Sequence, residues 1–323
     1  MFDNFAVSCI SLALGLISVA SAQSQGYPDK PVRVVVPLST GSSSDALARY
    51  TALRLSEAWK QQVVVENAPG ANGMTGAAIV AKAAPDGYTL MIMANNHIVN
   101  PSLYKNMPFD AIKDFSWIAS LANAPIMLVA NGALPVRTLK ELVAYAKGRP
   151  AGLSYGSPGS GSSSHLAMEL VRLGTGMNLV HVPYKAVSQA QTDLISGQLQ
   201  TMFMVPIAAI PHAQAGRLHI LAAAGAKRFS QLPDVPTLAE EGLKGFDVMP
   251  WVGLMGPAGM RPDLVKRIAS DVAKALGTDE ARQRALGLGL EVALKAPEEF
   301  EPFVVRDKDH WAELVRRSGA RVD

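Results

Sequence analysis

Val32-Arg33-Val34-Val35-Val36-Pro37-Leu38-Ser39-Thr40-Gly41-Ser42-Ser43-Ser44-Asp45 is the stretch whose reading decides the fold. Its first five residues form a β-branched run of strand length, and Pro37 closes it. A Ser/Thr/Gly loop follows. Residues 46–59 then place Leu47, Tyr50, Leu53 and Leu55 at helical spacing, with Arg49, Arg54 and Glu57 between them. Working outward, Val63-Val64-Val65 is a second strand, and Asn67 to Gly73 is a turn-rich loop. A short helix over 74–82 leads to a strand over 88–93. Alternation of strand and helix predicts a largely parallel sheet with helices on both faces.

The same grammar restarts after Phe115. Strands are predicted at 126–130, 153–155, 179–182, 199–203 and 220–224, with helices at 139–147, 166–173 and 190–195 between them. The tail reads as helices over 262–276, 280–288 and 297–317. A chain of 323 residues has room for two domains with their own cores. The charge is +3, from 30 Lys+Arg and 27 Asp+Glu, and it is scattered, with no basic cluster of the kind that nucleic-acid binding requires.

Phe5 to Ala22 is uncharged and apolar, ends in Ala20-Ser21-Ala22, and is followed by Gln23-Ser24-Gln25. Residues 1–22 read as a cleaved signal peptide, although Met1 to Asn4 lacks a basic residue. The sole cysteine, Cys9, lies inside it. The mature chain would then have no thiol, and its charge would be 30 − 26 = +4. Thiol catalysis, Cys-ligated metals and disulfides are excluded on that reading.

Two loops join a strand to a helix with the same composition: residues 38–45, and Gly156-Ser157-Pro158-Gly159-Ser160-Gly161-Ser162-Ser163-Ser164-His165. Free amides at a helix start, a positive helix end and serine hydroxyls together make an anion site without a formal charge. One such loop could be mere helix capping. Two of them, one per predicted domain, point to a carboxylate gripped between domains. Enzyme motifs fail: neither loop spells G-x-S-x-G, Ser162 stands where a phosphate loop needs Lys, and the six histidines have no metal spacing. No catalytic residue, cofactor or metal is expected.

The chain from Tyr27 to Val322 resembles the Bug-type solute-binding receptors of tripartite tricarboxylate transporters. The matching segments are Tyr27-Pro28-Asp29-Lys30-Pro31-Val32-Arg33, Val63-Val64-Val65-Glu66-Asn67, Pro69-Gly70-Ala71, Ala84-Pro85-Asp86-Gly87-Tyr88, Asn100-Pro101-Ser102-Leu103-Tyr104, His181-Val182-Pro183-Tyr184-Lys185, Ala226-Lys227-Arg228, Leu232-Pro233-Asp234-Val235-Pro236-Thr237 and Gly256-Pro257-Ala258-Gly259. The resemblance implies a periplasmic α/β protein of the type II binding-protein kind. Its two lobes, each a mostly parallel sheet flanked by helices, are joined by crossing strands. Lobe 1 would be 23–121 with 249–323, and lobe 2 would be 122–248. A monomer would deliver a carboxylate to large and small integral membrane subunits.

By position, the resemblance implies a first pincer of Ser39, Thr40, Ser43, Ser44 and Asp45. The second would be Ser157, Ser160, Gly161, Ser162, Ser163 and His165. Asn96 and His97 would face the same cleft. Met204-Val205 stands where relatives carry an acidic residue, so Met204 is expected against an apolar ring. That makes an aromatic dicarboxylate such as terephthalate the expected ligand. The alternatives are an aliphatic acid (citrate, succinate), a sensor role and, remotely, a secreted hydrolase. Protonation of His97 or His165 is expected to strengthen binding in mild acid.

Overall fold

The computed structural model describes residues 26–184 and 186–319. Residues 1–22, expected from the sequence to be a cleaved signal peptide, lie outside them. The chain first lays down β1 (Val32–Val36), α1 (Ser43–Trp59), β2 (Val63–Asn67), α2 (Met74–Ala81), β3 (Thr89–Ala94), α3 (Asn96–Leu103) and β4 (Phe115–Asn123). It then crosses into β5 (Met127–Asn131), α4 (Leu139–Lys147), β6 (Leu153–Ser157), α5 (Ser163–Thr175), β7 (Leu179–Pro183), α6 (Val187–Ser196), β8 (Thr201–Met204), α7 (Pro206–Gln214) and β9 (Leu218–Ala223). It returns as β10 (Trp251–Pro257), α8 (Pro262–Leu276), α9 (Asp279–Leu286), β11 (Glu291–Lys295) and α10 (Pro297–Ser318).

Two sheets result, ordered β11-β4-β10-β3-β1-β2 and β7-β6-β8-β5-β9. Each is mixed rather than mostly parallel. β1 runs parallel to β2 and β3, and β6 parallel to β7 and β8. β10 is antiparallel to β3 and β4, and β5 to β8 and β9. The antiparallel pairs all involve strands next to the crossings between sheets. Such strands are not fed by a βα crossover, so the rule that forces parallel pairing does not reach them.

β1 shows why its sequence is so uniformly β-branched. Val32, Val34 and Val36 point to one face and pack with Leu47, Leu55, Ile268 and Val272. Val35 points to the other, with Ala77, Val80 and Met91. Side chains alternate with period two, and both faces are covered by helices, so every position is apolar except half-buried Arg33. Burying each valine contributes roughly 1.5–3 kcal/mol as an upper estimate. This places the C-terminal end of β1, and the loop after it, at a fixed edge.

Backbone hydrogen bonds lace the crossings together: Ala124 N–H to Pro250 O (2.7 Å), Ala224 N–H to Ile126 O (3.0 Å) and Val248 N–H to Ala224 O (2.8 Å). α10 packs on both α3 and α5, so the C-terminal helix also bridges the two halves.

Candidate ligand-binding site

The two Ser-rich loops leave the C-terminal ends of β1 and β6, and they are built alike. Gly41 and Gly161 both take positive φ, +83° and +79°, which glycine adopts without steric cost. The next residue caps the helix: Ser42 Oγ accepts the Asp45 N–H (3.2 Å), and Ser162 Oγ accepts the His165 N–H (3.3 Å). Each glycine amide then donates to the side chain four residues on. Gly41 N–H reaches Asp45 Oδ2 at 2.9 Å, and Gly161 N–H reaches His165 Nδ1 at 3.0 Å. Ser43-Ser44 and Ser163-Ser164 begin α1 and α5, so their amides have no partner inside the helix. Each loop therefore offers two free N–H groups and a hydroxyl at a positive helix end, the chemistry that receives a carboxylate.

Their supports differ. Asp45 is buried and also accepts from Asn67 Nδ2 (2.8 Å) and Arg49 Nε (3.1 Å). Burial works against its charge, but the Gly41 amide, Asn67 and Arg49 outweigh it and hold the carboxyl below its usual range. His165 instead stacks on His181 at 4.0 Å between centroids, and His181 stacks on Tyr155 at 4.8 Å. His181 Nε2 lies 2.7 Å from Ser157 Oγ. Burial pushes His181 down to about 4, with His165 adding to the effect, and burial lowers His165 too.

The sequence-predicted residues divide accordingly. Ser39, Thr40 and Ser160 are exposed on the loops, and Ser43 and Ser163 are half-buried at the helix starts. Ser44 is buried beside them. Asp45, Gly161, Ser162 and His165 were expected on the ligand. Their polar groups build the loops: all four take part in the capping and Gly-to-side-chain bonds above. Ser157 is fully buried and holds the turn, accepting the Gly159 N–H and donating to Gly159 O, both at 3.1 Å.

Two expectations need correction. His97 is 0% exposed; its Nε2 donates to Ala111 O (2.8 Å), and its ring sits among Phe109, Phe115 and Trp117. It belongs to the core because α3 turns it away from the β3 end. Met204 is 2% exposed and packs in the cluster of Met127, Leu194 and Ala209, so no ring can rest on it. Asn96 is half-buried at the start of α3, and its amide donates to Asn72 O at 2.8 Å. The residue that meets the opposite loop is its neighbour Asn95, 3.5 Å from Ser163 Oγ. Sequence reading missed Asn95, Asn67 and His181. The repeated Gly-Ser-Ser-Ser unit was the available signal for Asn67, since a carboxylate reaching back to its glycine needs a donor from the next strand.

The family described as "Tripartite tricarboxylate transporter family receptor" matches residues 47–320. The chain belongs to this family. The receptor is 31% identical to Protein BugT of Bordetella pertussis over 310 residues, which span 95% of this chain and 94% of BugT. Among solved structures it is similar to Rpa4515 of R. palustris with adipate, at TM-score 0.83 and 32% identity, covering 92% of this chain and all of that one. MatC of Rhodopseudomonas palustris with bound malate gives TM-score 0.77 and 30% identity, covering 89% and 99%. The receptor thus has the two-lobed type II binding-protein fold. It is a periplasmic, carboxylate-binding component of a tripartite transporter, and its partners are membrane subunits.

Proposed function

We propose that the receptor is non-catalytic and monomeric, and that it takes a small aliphatic dicarboxylate between its two serine loops. Delivery would be to one large and one small membrane subunit, after export directed by residues 1–22. The observation that carries this reading is the duplicated loop: two helix starts with free amides at Ser43-Ser44 and Ser163-Ser164, one on each half. Structures of two relatives carry adipate and malate, both dicarboxylates. An amino acid is disfavoured, because the carboxylate in the first loop, Asp45, is consumed by Gly41, Asn67 and Arg49. An ammonium buried without a partner would cost several kcal/mol. The terephthalate reading depended on Met204, and its burial removes that support.

The test is calorimetry with adipate, malate, succinate, citrate, terephthalate and glutamate on the mature protein. An aliphatic dicarboxylate should bind tightest. Ser43→Ala and Ser163→Ala should each weaken it about tenfold, since a charge-assisted hydrogen bond contributes roughly 1.5–3 kcal/mol. Tightest binding of glutamate, or wild-type affinity in both variants, would refute the assignment. Turnover of a chromogenic ester would refute the non-catalytic part.

A further inference from the structure

We propose that His165, braced by its stack on His181, is the positioning residue of the second pincer, and that it makes that pincer alone acid-labile. The inference deepens the carboxylate-receptor reading and rests on it for its functional consequence.

The geometry starts at the Gly161 amide. It donates to His165 Nδ1, so Nδ1 must carry a lone pair and the ring proton must sit on Nε2. A second proton can enter only at Nδ1. There it would confront the Gly161 N–H, donor against donor, and the bond that closes residues 161–165 would be lost. Ser162 N–H to Gly159 O (3.3 Å) and Ser162 Oγ to Gly159 O (2.8 Å) tie the rest of the turn to the same glycine segment. Opening at Gly161 therefore loosens the turn between Gly159, which Ser157 still anchors, and Ser162, and with it the helix start that presents Ser163 and Ser164.

The groups facing His165 set how readily it titrates. From β7 comes His181, parallel to within 14°. Two cationic rings at that separation repel, so each disfavours protonation of the other. From β6 comes Tyr155, stacked on both rings, whose hydroxyl donates to Glu169 Oε1 at 2.6 Å. From α5 itself come Glu169, which favours the cation, and Arg172, which neutralises Glu169 at 2.7 Å. The first loop has a carboxylate in the equivalent place, already ionised and bound to Arg49. It gains no proton in the range where histidines titrate.

Capture would then fail from one side as pH falls: the first pincer keeps its shape and the second opens. This reverses the expectation that protonated His165 strengthens binding.

The test has two arms. In the first, the ligand-free mature protein is followed by amide NMR from about pH 7.5 to about pH 4.5, across the ordinary histidine range and below it. The Gly161 amide should move with the His165 ring titration, while the Gly41 amide stays fixed. Variant His165→Asn, whose Oδ1 can accept the same N–H without titrating, should hold Gly161 fixed as well. In the second arm, dicarboxylate affinity is measured at both ends of that range. The loss on acidification should be at least about tenfold larger in wild type than in His165→Asn, whatever the variant's affinity at neutral pH, because the ligand's own titration is common to both. A Gly161 amide that ignores His165 titration, or equal losses in the two proteins, overturns the proposal. Failure of every dicarboxylate to bind refutes the dicarboxylate reading and leaves the first arm to decide the latch.

Discussion

Residues 41–45 and 161–165 make one backbone device with two opposite supports. Glycine, capping serine, two serines at a helix start and a side chain that reaches back to the glycine recur in the same order. The last residue is Asp45 in one and His165 in the other, and four residues further on stand Arg49 and Glu169. The first loop is therefore locked by charge: a buried carboxylate accepts an amide, an amide side chain and a guanidinium. The second is locked by neutrality: an imidazole accepts one amide and lies in a stack of rings. The lesson is that loop shape and loop electrostatics are separable. The shape needs an acceptor at the fourth position; which acceptor is used decides what disturbs it.

The strongest test of that separation exchanges each acceptor for asparagine. In Asp45→Asn, the new NH₂ must face one of three donors, and Arg49 loses its counter-charge. Arg49 is half-exposed and stays solvated, so the cost is mainly that of donors losing a buried charged acceptor, about 2–3 kcal/mol. His165→Asn keeps an acceptor for Gly161 and loses mainly stacking, about 1–2 kcal/mol. Urea unfolding at neutral pH should rank them in that order. Equal losses, or a larger one at position 165, would mean that charge is not what holds the first loop.

Acid provides the next test, and its sign follows from direction alone. Asp45 is held below its usual carboxyl range, so its support is present above that range and fades only as pH falls through it. His165 and His181 are held below the usual imidazole range, so theirs is lost earlier, from the ordinary histidine value downward. A third histidine could mask the difference by weakening the whole first lobe. His97 is fully buried and held down to about 4 against an ordinary 6.5. Between neutral pH and about pH 5 that shift removes about 2 kcal/mol of stability. Variant His97→Gln, which retains a donor for Ala111 O, should recover that loss in urea midpoints compared at the two pH values. Identical acid sensitivity in the two proteins would show that His97 is not kept neutral by the fold.

The legibility of these features in the sequence was uneven, for physical reasons. β1, α4 and α8 declare themselves: β-branched runs and clean amphipathic periods need no tertiary information. β10 does not, because Gly253, Gly256 and Pro257 look like a turn. Gly253 is there because a β-carbon would lie 2.5 Å from the Phe300 ring, a contact between segments far apart in the chain. α3 and α7 were hidden by Pro101 and Pro211, which lie inside both helices yet are tolerated. In the site, the loops and their serines were visible, but their division into builders and presenters was not. Composition cannot tell a hydroxyl that caps a helix from one left free beside it.

The smallest expected effect concerns that division directly. Ser42 and Ser162 are equivalent caps, and replacing either by alanine should cost about 1 kcal/mol. They are not identical, however. Ser162 Oγ also donates to Gly159 O at 2.8 Å, whereas Ser39 O, the matching carbonyl, receives the Ser42 amide and no hydroxyl among the described residues. Gly159 O keeps two other donors when Ser162 is truncated, the Ser162 amide and Ser157 Oγ, so it is not left bare. The extra bond should then contribute about 0.5 kcal/mol, the low end for a neutral hydrogen bond. Urea unfolding of Ser42→Ala and Ser162→Ala, at a pH where the histidines are neutral, should show the second slightly less stable. A larger loss at Ser42 would break the equivalence of the two loops at its most local level, the cap itself.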